Sequence, residues 1–318
     1  MSVEDEAMRI LISGSTGFVG TAAVIALASD GHSIVRLVRP GSSSRMGNAA
    51  GQGEAIQSVR WDPLAGEFDA AAAEGADALV HLAGASIAEG RWSAARKSLL
   101  RTSRVDATRH LVGALAKLRR PPRVAIAASA IGYFGDRGDE ELTDASAPGN
   151  DFLSKVCVEW EAESARAVEF GARVVMLRFG IVLAAHGGAL PRMALPFKLC
   201  AGGRLGAGRQ WMSWIALDDV VGVIRFALSN AALGGPVNAV SPQPVQNADF
   251  TRVLARALRR PAIFPAPAFA LRLALGEMAD ALLLSSQRVF PAKLLLAGYN
   301  FQQTDLSAAL AAIYRPPV

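Results

Sequence analysis

From residue 9 to about residue 180 the chain alternates short apolar runs with longer stretches whose apolar residues recur at helical spacing. Residues 9–13 (RILIS), 33–38, 59–61, 78–82, 124–128 and 174–178 read as strands, and residues 19–30, 93–118 and 152–170 as helices. Gly31 after the first helix, Pro121-Pro122 before the fifth strand and Gly171 before the sixth supply the stops. Strand and helix in this order predict an α/β fold: a Rossmann-like, doubly wound parallel sheet. After residue 180 the texture changes to loops rich in Gly, Pro and Trp, then to helical patterns from 248 to 310, with no internal repeat. The expected division is a sheet domain over 1–180, rejoined by 215–240 through the strand-like 237–240. A smaller, mainly helical region covers 181–214 and 241–318.

Composition narrows the classes. Of 318 residues, 51% are hydrophobic and 19% charged, which excludes a disordered chain and supplies a large core. Two cysteines, Cys157 and Cys200, cannot build a disulfide framework, and no Cys/His cluster suggests a metal. The net charge of +5 raises nucleic-acid binding as a hypothesis. Its best local support, residues 117–123 (KLRRPPR), is short, lacks interleaved aromatics and reads as a solvated turn. No run reaches the ~18–20 apolar residues that span a bilayer; residues 269–284 are interrupted by Arg272, Glu277 and Asp280. The acidic start (Glu4, Asp5, Glu6) has the wrong charge order for a secretory signal, so a cytoplasmic protein with no membrane or nucleic-acid partner is expected.

Candidate chemistry begins at Gly14-Ser15-Thr16-Gly17-Phe18-Val19-Gly20, between the first strand and the first helix. Gly14 permits a tight turn, Gly17 lets the backbone approach a pyrophosphate, and Gly20 lets helix pack close on strand. Such a turn can be merely structural; at the first strand–helix junction of an alternating chain it points to a dinucleotide. An NAD-selective site usually offers an acid at the end of the second strand. Here the strand ends Arg36-Leu37-Val38-Arg39-Pro40 and runs on through Gly41-Ser42-Ser43-Ser44-Arg45. Guanidinium and hydroxyl groups suit a 2′-phosphate, so NADP(H) is the expected cofactor, against the alternative of a solvated basic loop. Asp62 either accepts from the adenine amino group or caps a turn with Pro63.

These residues resemble the extended short-chain dehydrogenase/reductase superfamily, which includes nucleotide-sugar epimerases and dehydratases. The segments Arg60-Trp61-Asp62-Pro63, His81-Leu82-Ala83-Gly84-Ala85, Ser129-Ala130-Ile131-Gly132-Tyr133-Phe134-Gly135 and residues 202–215 follow in order. Together they resemble its atypical "epimerase family" subgroup, whose carboxy-terminal helical domain is matched by residues 247–310. The resemblance implies an oxidoreductase or epimerase scaffold acting on a small molecule, with Leu82, Ala83 and Gly84 along the cofactor. It also implies a serine after the fifth strand and a Tyr-x-x-x-Lys pair, in which the lysine holds the nicotinamide ribose and lowers the tyrosine pKa.

The chain departs from that pattern in three places. Lys155 is present, but Asp151 stands where the tyrosine belongs. Asp151 could pair with Lys155 across one helical turn or, if buried, act as the acid/base. Ser129 is offset by one from the superfamily serine, whose place Ala130 takes. In the second region the arginine that grips a substrate diphosphate is replaced by Met212, with Arg209 and Gln210 near but offset, ahead of a Leu217-Asp218-Asp219 turn. Trp211, Met212 and Trp214 make this loop apolar, unless both tryptophans are core anchors. A small, partly apolar substrate is expected rather than a nucleotide sugar. Ser129, Tyr133 and Lys155 are the catalytic candidates, Tyr133 having packing against Phe134 as its alternative. His32 and His110 read as helix-end or surface residues, His186 as a loop residue at a cleft edge. No hydrolase elbow accompanies Ser129, His186 and Asp218. The competing expectation is a catalytically impaired NADP(H)-binding sensor or scaffold, and a homodimer is the commonest assembly for either.

Overall fold

The computed structural model describes residues 7–39 and 56–314. In chain order its strands are β1 (Arg9–Ser13), β2 (Ser33–Val38), β3 (Ile56–Asp62), β4 (Glu67–Phe68), β5 (Ala78–His81), β6 (Val124–Ala130) and β7 (Glu141–Leu142). They continue with β8 (Arg173–Phe179), β9 (Ile181–Leu183), β10 (Trp211–Met212), β11 (Trp214–Ala216), β12 (Gly235–Ala239), β13 (Val245–Gln246) and β14 (Arg288–Val289). The main sheet has the order β12-β8-β6-β5-β1-β2-β3-β4. Every neighbouring pair in it is parallel except β3–β4. Strand order reverses between β1 and β5, which opens a crevice at their carboxyl ends, where ligands bind in folds of this kind.

Helices cover both faces. The first half contributes α1 (Phe18–Ser29), α2 (Ala70–Ala73), α3 (Ala94–Thr102), α4 (Val105–Leu115) and α5 (Phe152–Ala165). The second adds α6 (Leu190–Lys198), α7 (Leu217–Ser229), α8 (Asn247–Leu258), α9 (Ala268–Leu275), α10 (Glu277–Ala279), α11 (Ala292–Leu296) and α12 (Leu306–Tyr314). Successive strand residues point to opposite faces, and two cores follow from that period. Ile10, Ile12, Ile34, Val80 and Ile126 pack with Val24 and Leu27 of α1 and with Val220 and Val223 of α7. Leu11, Val35, Leu37, Leu79 and Ala125 pack on the other face with Leu111 and Leu115 of α4. Because both faces are buried, the parallel strands read as unbroken apolar runs. A separate core joins Leu190 and Phe197 of α6, Trp214, Phe250 and Leu254 of α8, and Leu310 of α12.

The sequence reading and the fold differ in instructive places. The long helix expected over 93–118 breaks at Ser103-Arg104, where Arg104 turns its guanidinium back onto the carbonyls of Leu100 and Ala85. Residues 269–284 form α9, α10 and a short π-helical turn, Asp280–Leu284, interrupted at Gly276 (φ +64°). The expected Leu217-Asp218-Asp219 turn is instead the first turn of α7. Asp219 is fully buried and accepts from the backbone N–H groups of Gln302 (2.7 Å) and Gln303 (2.9 Å) and from the Tyr299 hydroxyl (3.2 Å). Asp144 makes a similar link, one oxygen to the N–H of Asn238 and the other to that of Lys293. His32 is buried rather than on the surface; its Nδ1 accepts from the N–H of Met8 at 3.1 Å.

Candidate functional site

Between β1 and α1 the chain reverses within Gly14–Gly17, and it does so without space for side chains. Gly14 has φ +69°, and a Cβ on it would lie 2.6 Å from the carbonyl carbon of Leu82 at the end of β5. A Cβ on Gly20 would lie 2.1 Å from the Gly14 carbonyl oxygen. That same oxygen accepts from the Gly17 N–H at 2.9 Å, which closes the turn. Gly17 stands at the N-cap of α1 and offers no side-chain cap. The first N–H groups of α1 therefore have no side-chain acceptor at the N-cap, and such donors with the positive helix end suit a pyrophosphate. The buried Ser15 hydroxyl beside them has no partner among the described residues. Thr16 is exposed, Val19 packs against the sheet core, and the Phe18 ring lies where a Cβ on Gly187 would come within 2.5 Å of it. The loop after β9 thus folds over the turn.

At the neighbouring strand end Arg36 is 3% exposed, on the same sheet face as Ile34, and its Nε and Nη2 have no partner among the described residues. Arg39 is exposed immediately beyond β2. Residues 41–45, including Arg45, lie outside the described residues. Asp62 caps the turn through one oxygen: its Oδ1 accepts from the N–H groups of Leu64 (2.9 Å) and Ala65 (3.1 Å). Those backbone donors hold its carboxyl below the usual value. His110 steadies the same turn through the Pro63 carbonyl at 3.0 Å. The dinucleotide therefore fits the residues present: glycines that admit no Cβ, an uncapped helix N-terminus, and buried donors without acceptors.

The catalytic candidates are placed differently. The Ser129 hydroxyl is buried and donates to Glu161 Oε1 at 2.6 Å, away from any open surface. Glu161, on α5, is held by a two-point ion pair with Arg178 of β8, Nε to Oε1 at 2.7 Å and Nη2 to Oε2 at 2.8 Å. The Arg178 guanidinium carbon sits 3.4 Å from the centroid of the Tyr133 ring, and Phe134 packs edge-on against Tyr133. Asp151 does not pair with Lys155. It is the N-cap of α5, one residue outside the helix, and accepts from the Ser154 N–H (2.8 Å) and hydroxyl (2.9 Å). Lys155 is exposed on the first turn of α5.

Beside this N-terminus lies a cavity of about 280 Å³. Trp92, Asp151 and Phe152 form one wall, and Arg272, Asp280 and Leu284 of the carboxy-terminal helices form the other. Phe152 meets the Trp92 ring edge-on at 5.6 Å and carries Lys97 over its face. Sequence reading did not find this wall, because its two sides lie more than a hundred residues apart. The Glu161–Arg178 pair did leave a signal, since an arginine inside an apolar strand needs a buried carboxylate. Of the two tryptophans of the apolar loop, Trp214 is a fully buried core residue. Trp211 is half-buried, with its Nε1 donating to Asp139 at 2.8 Å. Met212 and Gln210 are both buried. His186 is exposed. His81 bridges the Ser13 hydroxyl (Nδ1, 2.5 Å) and the Thr108 hydroxyl (Nε2, 2.9 Å) beneath the sheet edge, and burial pushes its pKa down to about 4. Burial pushes the Cys157 thiol up to about 12, which leaves it inert. No group of residues among those described could hold a metal, and no described helix is long and apolar enough to cross a membrane.

Residues 10–240 match the NAD dependent epimerase/dehydratase family. The chain belongs to that family. Residues 266–313 match a domain of unknown function, DUF1731. Epimerase family protein Mb2239 of Mycobacterium bovis is 40% identical over 96% of this chain and 98% of its own. Epimerase family protein YfhF of Bacillus subtilis is 37% identical over the same shares. The crystal structure of human epimerase family protein SDR39U1 (isoform 2), solved with NADPH, superposes with a TM-score of 0.85 at 32% identity, covering 96% of this chain and 99% of that one. A Bacillus cereus UDP-glucuronic acid 4-epimerase with NAD, at 17% identity and a TM-score of 0.75 over 96% and 97% of the two chains, shares the fold.

Proposed function

We propose that this chain binds NADP(H) across the carboxyl edge of its sheet and acts as an oxidoreductase or epimerase-like enzyme on a small, partly apolar substrate, not a nucleotide sugar. The observation that carries the reading is the β1–α1 turn, where glycine packing presents an uncapped helix N-terminus beside Ser15 and Arg36 donors that have no partner among the described residues. Similarity to the human protein solved with NADPH supports the choice of cofactor.

In this reading the α1 N–H groups hold the pyrophosphate, with Leu82, Ala83 and Gly84 lining the next strand end. Arg36 and Arg39 pair with the 2′-phosphate, for which a planar guanidinium is suited. Lys155 holds the nicotinamide ribose. When bound, the cofactor supplies the hydride chemistry at nicotinamide C4. Tyr133 is the side chain proposed to contact the reacting oxygen. Ser129 acts at one remove, positioning Tyr133 through Glu161 and Arg178. The cavity beside Asp151, about 280 Å³, is the proposed substrate pocket. It stands just below the roughly 300–1,000 Å³ range of small-molecule sites, which favours a small substrate. Cytoplasmic residence and homodimerisation belong to the same proposal, as does the division into an NADP-binding sheet domain and a substrate-binding carboxy-terminal region.

Calorimetric titration tests the cofactor. Arg39→Asp is expected to weaken NADPH at least tenfold and NADH less than threefold; equal losses would overturn the 2′-phosphate assignment. NADPH absorbance, followed while a panel of carbonyl compounds is offered, tests the chemistry. Turnover that Lys155→Met and Tyr133→Phe abolish supports the enzyme. A second reading, an NADP(H)-holding sensor or scaffold without catalysis, is favoured by the engagement of Ser129 with Glu161 and of Asp151 with its helix end. Tight binding with no turnover on the whole panel would select it.

A further inference from the structure

A second concave site lies on the carboxy-terminal region, lined by no residue of the main sheet. It is a groove of about 810 Å³ between α8 and the segment that follows it. Its floor is made of small residues of α8, Ala248, Thr251 and Ala255, which recur at helical spacing and leave the groove open. Its walls carry Arg204, Arg252, Arg256, Arg259 and Arg260, all exposed, and no carboxylate lines it.

What sets these arginines apart is their clustering. Many surface guanidinium groups meet acids, as Arg101 does Glu159, Arg109 Glu163, Arg137 Glu140 and Arg225 Asp30. Others, such as Arg91, Arg123 and Arg209, stand exposed without an ion pair among the described residues but do not share one groove. In the groove only Arg252 has an ion pair, with Asp249, while Arg204, Arg256, Arg259 and Arg260 have none among the described residues. The negative end of a helix dipole accounts for cations near the end of α8, but it amounts to about half a charge. It explains neither the number of arginines nor Arg204, which comes from the opposite wall. The wall is also built rather than loose. The Arg204 carbonyl accepts from Ala266 N–H at 2.9 Å, Gly202 from Phe264 at 3.1 Å, and Gly208 from Ala248 at 2.8 Å. Arg259 holds the left-handed conformation (φ +53°) that ends α8, a position where glycine is the unstrained choice.

We propose that this groove binds a small soluble anion carrying two or more linked phosphates, independently of the dinucleotide site. Converging guanidinium groups pair with phosphate oxygens two at a time, and a linked series of phosphates can engage several of them at once. Concavity favours a compact ligand over a duplex or a bilayer, which need a broad surface.

The test titrates full-length protein with sodium tripolyphosphate by calorimetry at physiological ionic strength, in the presence and absence of saturating NADPH. Binding at one site that NADPH leaves in place, weakened at least tenfold in Arg204→Ser/Arg256→Ser/Arg260→Ser with unchanged thermal unfolding, is the expected result. The single variants Arg204→Gln and Arg256→Gln, each expected to cost threefold or more, serve if the triple variant is destabilised. Absence of binding, affinity unchanged in the variants, or complete displacement by NADPH would overturn the proposal. So would tighter binding to duplex DNA or to phosphatidylserine vesicles at the same ionic strength, which would give the surface to a macromolecule or a membrane.

Discussion

The two halves of the sheet's carboxyl edge are built on opposite plans. Around the β1–α1 turn, polar groups are left open: among the described residues the α1 N-terminus has no side-chain cap, and Ser15 and Arg36 keep buried donors without acceptors. Around β6 and α5, the carboxylates and hydroxyls are satisfied internally, Ser129 by Glu161, Glu161 by Arg178 and Asp151 by Ser154, and Trp160 Nε1 is the buried donor of α5 without an acceptor among the described residues. A buried donor without an acceptor costs about 1–3 kcal/mol, so the first half gains its full stability when something fills it. The second half already holds its charged groups in internal pairs. One edge therefore combines a receptive part and a self-contained part, and only the receptive part follows the pattern of its superfamily closely.

Breaking the self-contained half should cost the most. Arg178→Met strands the Glu161 carboxylate in the interior and is expected to lower unfolding free energy by about 3–5 kcal/mol, read from urea denaturation. Arg178→Met/Glu161→Leu, which removes both charges, should cost less than the single change; a larger loss would mean that the pair contributes more than mutual neutralisation. Protonation of His81 comes next. Its pKa is about 4 when folded and near 6.5 when unfolded, so its contribution is complete above pH 6.5 and is lost as pH falls toward 4. The loss is on the order of 3 kcal/mol. Urea midpoints at pH 7 and pH 4.5 should differ more in the native chain than in His81→Gln. On the receptive half, Gly20→Ala places a methyl group 2.1 Å from the Gly14 oxygen and should weaken NADPH at least a hundredfold, seen by fluorescence titration. Retained affinity would show that the turn can relax without harm. Smallest is Asp151→Ala, which removes the α5 cap and should cost about 1 kcal/mol in urea denaturation with NADPH affinity preserved. A large loss of turnover there would instead make Asp151 part of the chemistry.

The alternating sheet was legible because parallel strands with two buried faces leave a strong trace, and β1 and β2 match the sequence reading residue for residue. The glycine turn was equally readable, since its requirements are local. What escaped was set by distant partners. Asp151 looks like a pair for Lys155 at four-residue spacing, yet the helix begins after it. Ser129 looks available until Glu161, thirty-two positions on, is seen to claim it. Asp219 looked like part of a turn, but its acceptors are filled by residues about eighty positions later. Short strands such as β7 and β14 carry too few residues for any period to register, and they are recognisable only as a pair.

The two carboxylates at Asp144 and Asp219 have a consequence for how the molecule comes apart. Both belong to the segment that matches the epimerase family, and Lys293, Tyr299, Gln302 and Gln303, which donate to them, all belong to the segment that matches DUF1731. Removing the second segment would leave Asp219 and one oxygen of Asp144 without their donors, while the second segment alone would lose its anchors. The two sequence modules are therefore expected to unfold together, and calorimetry of the whole chain should register one cooperative melting transition in place of two.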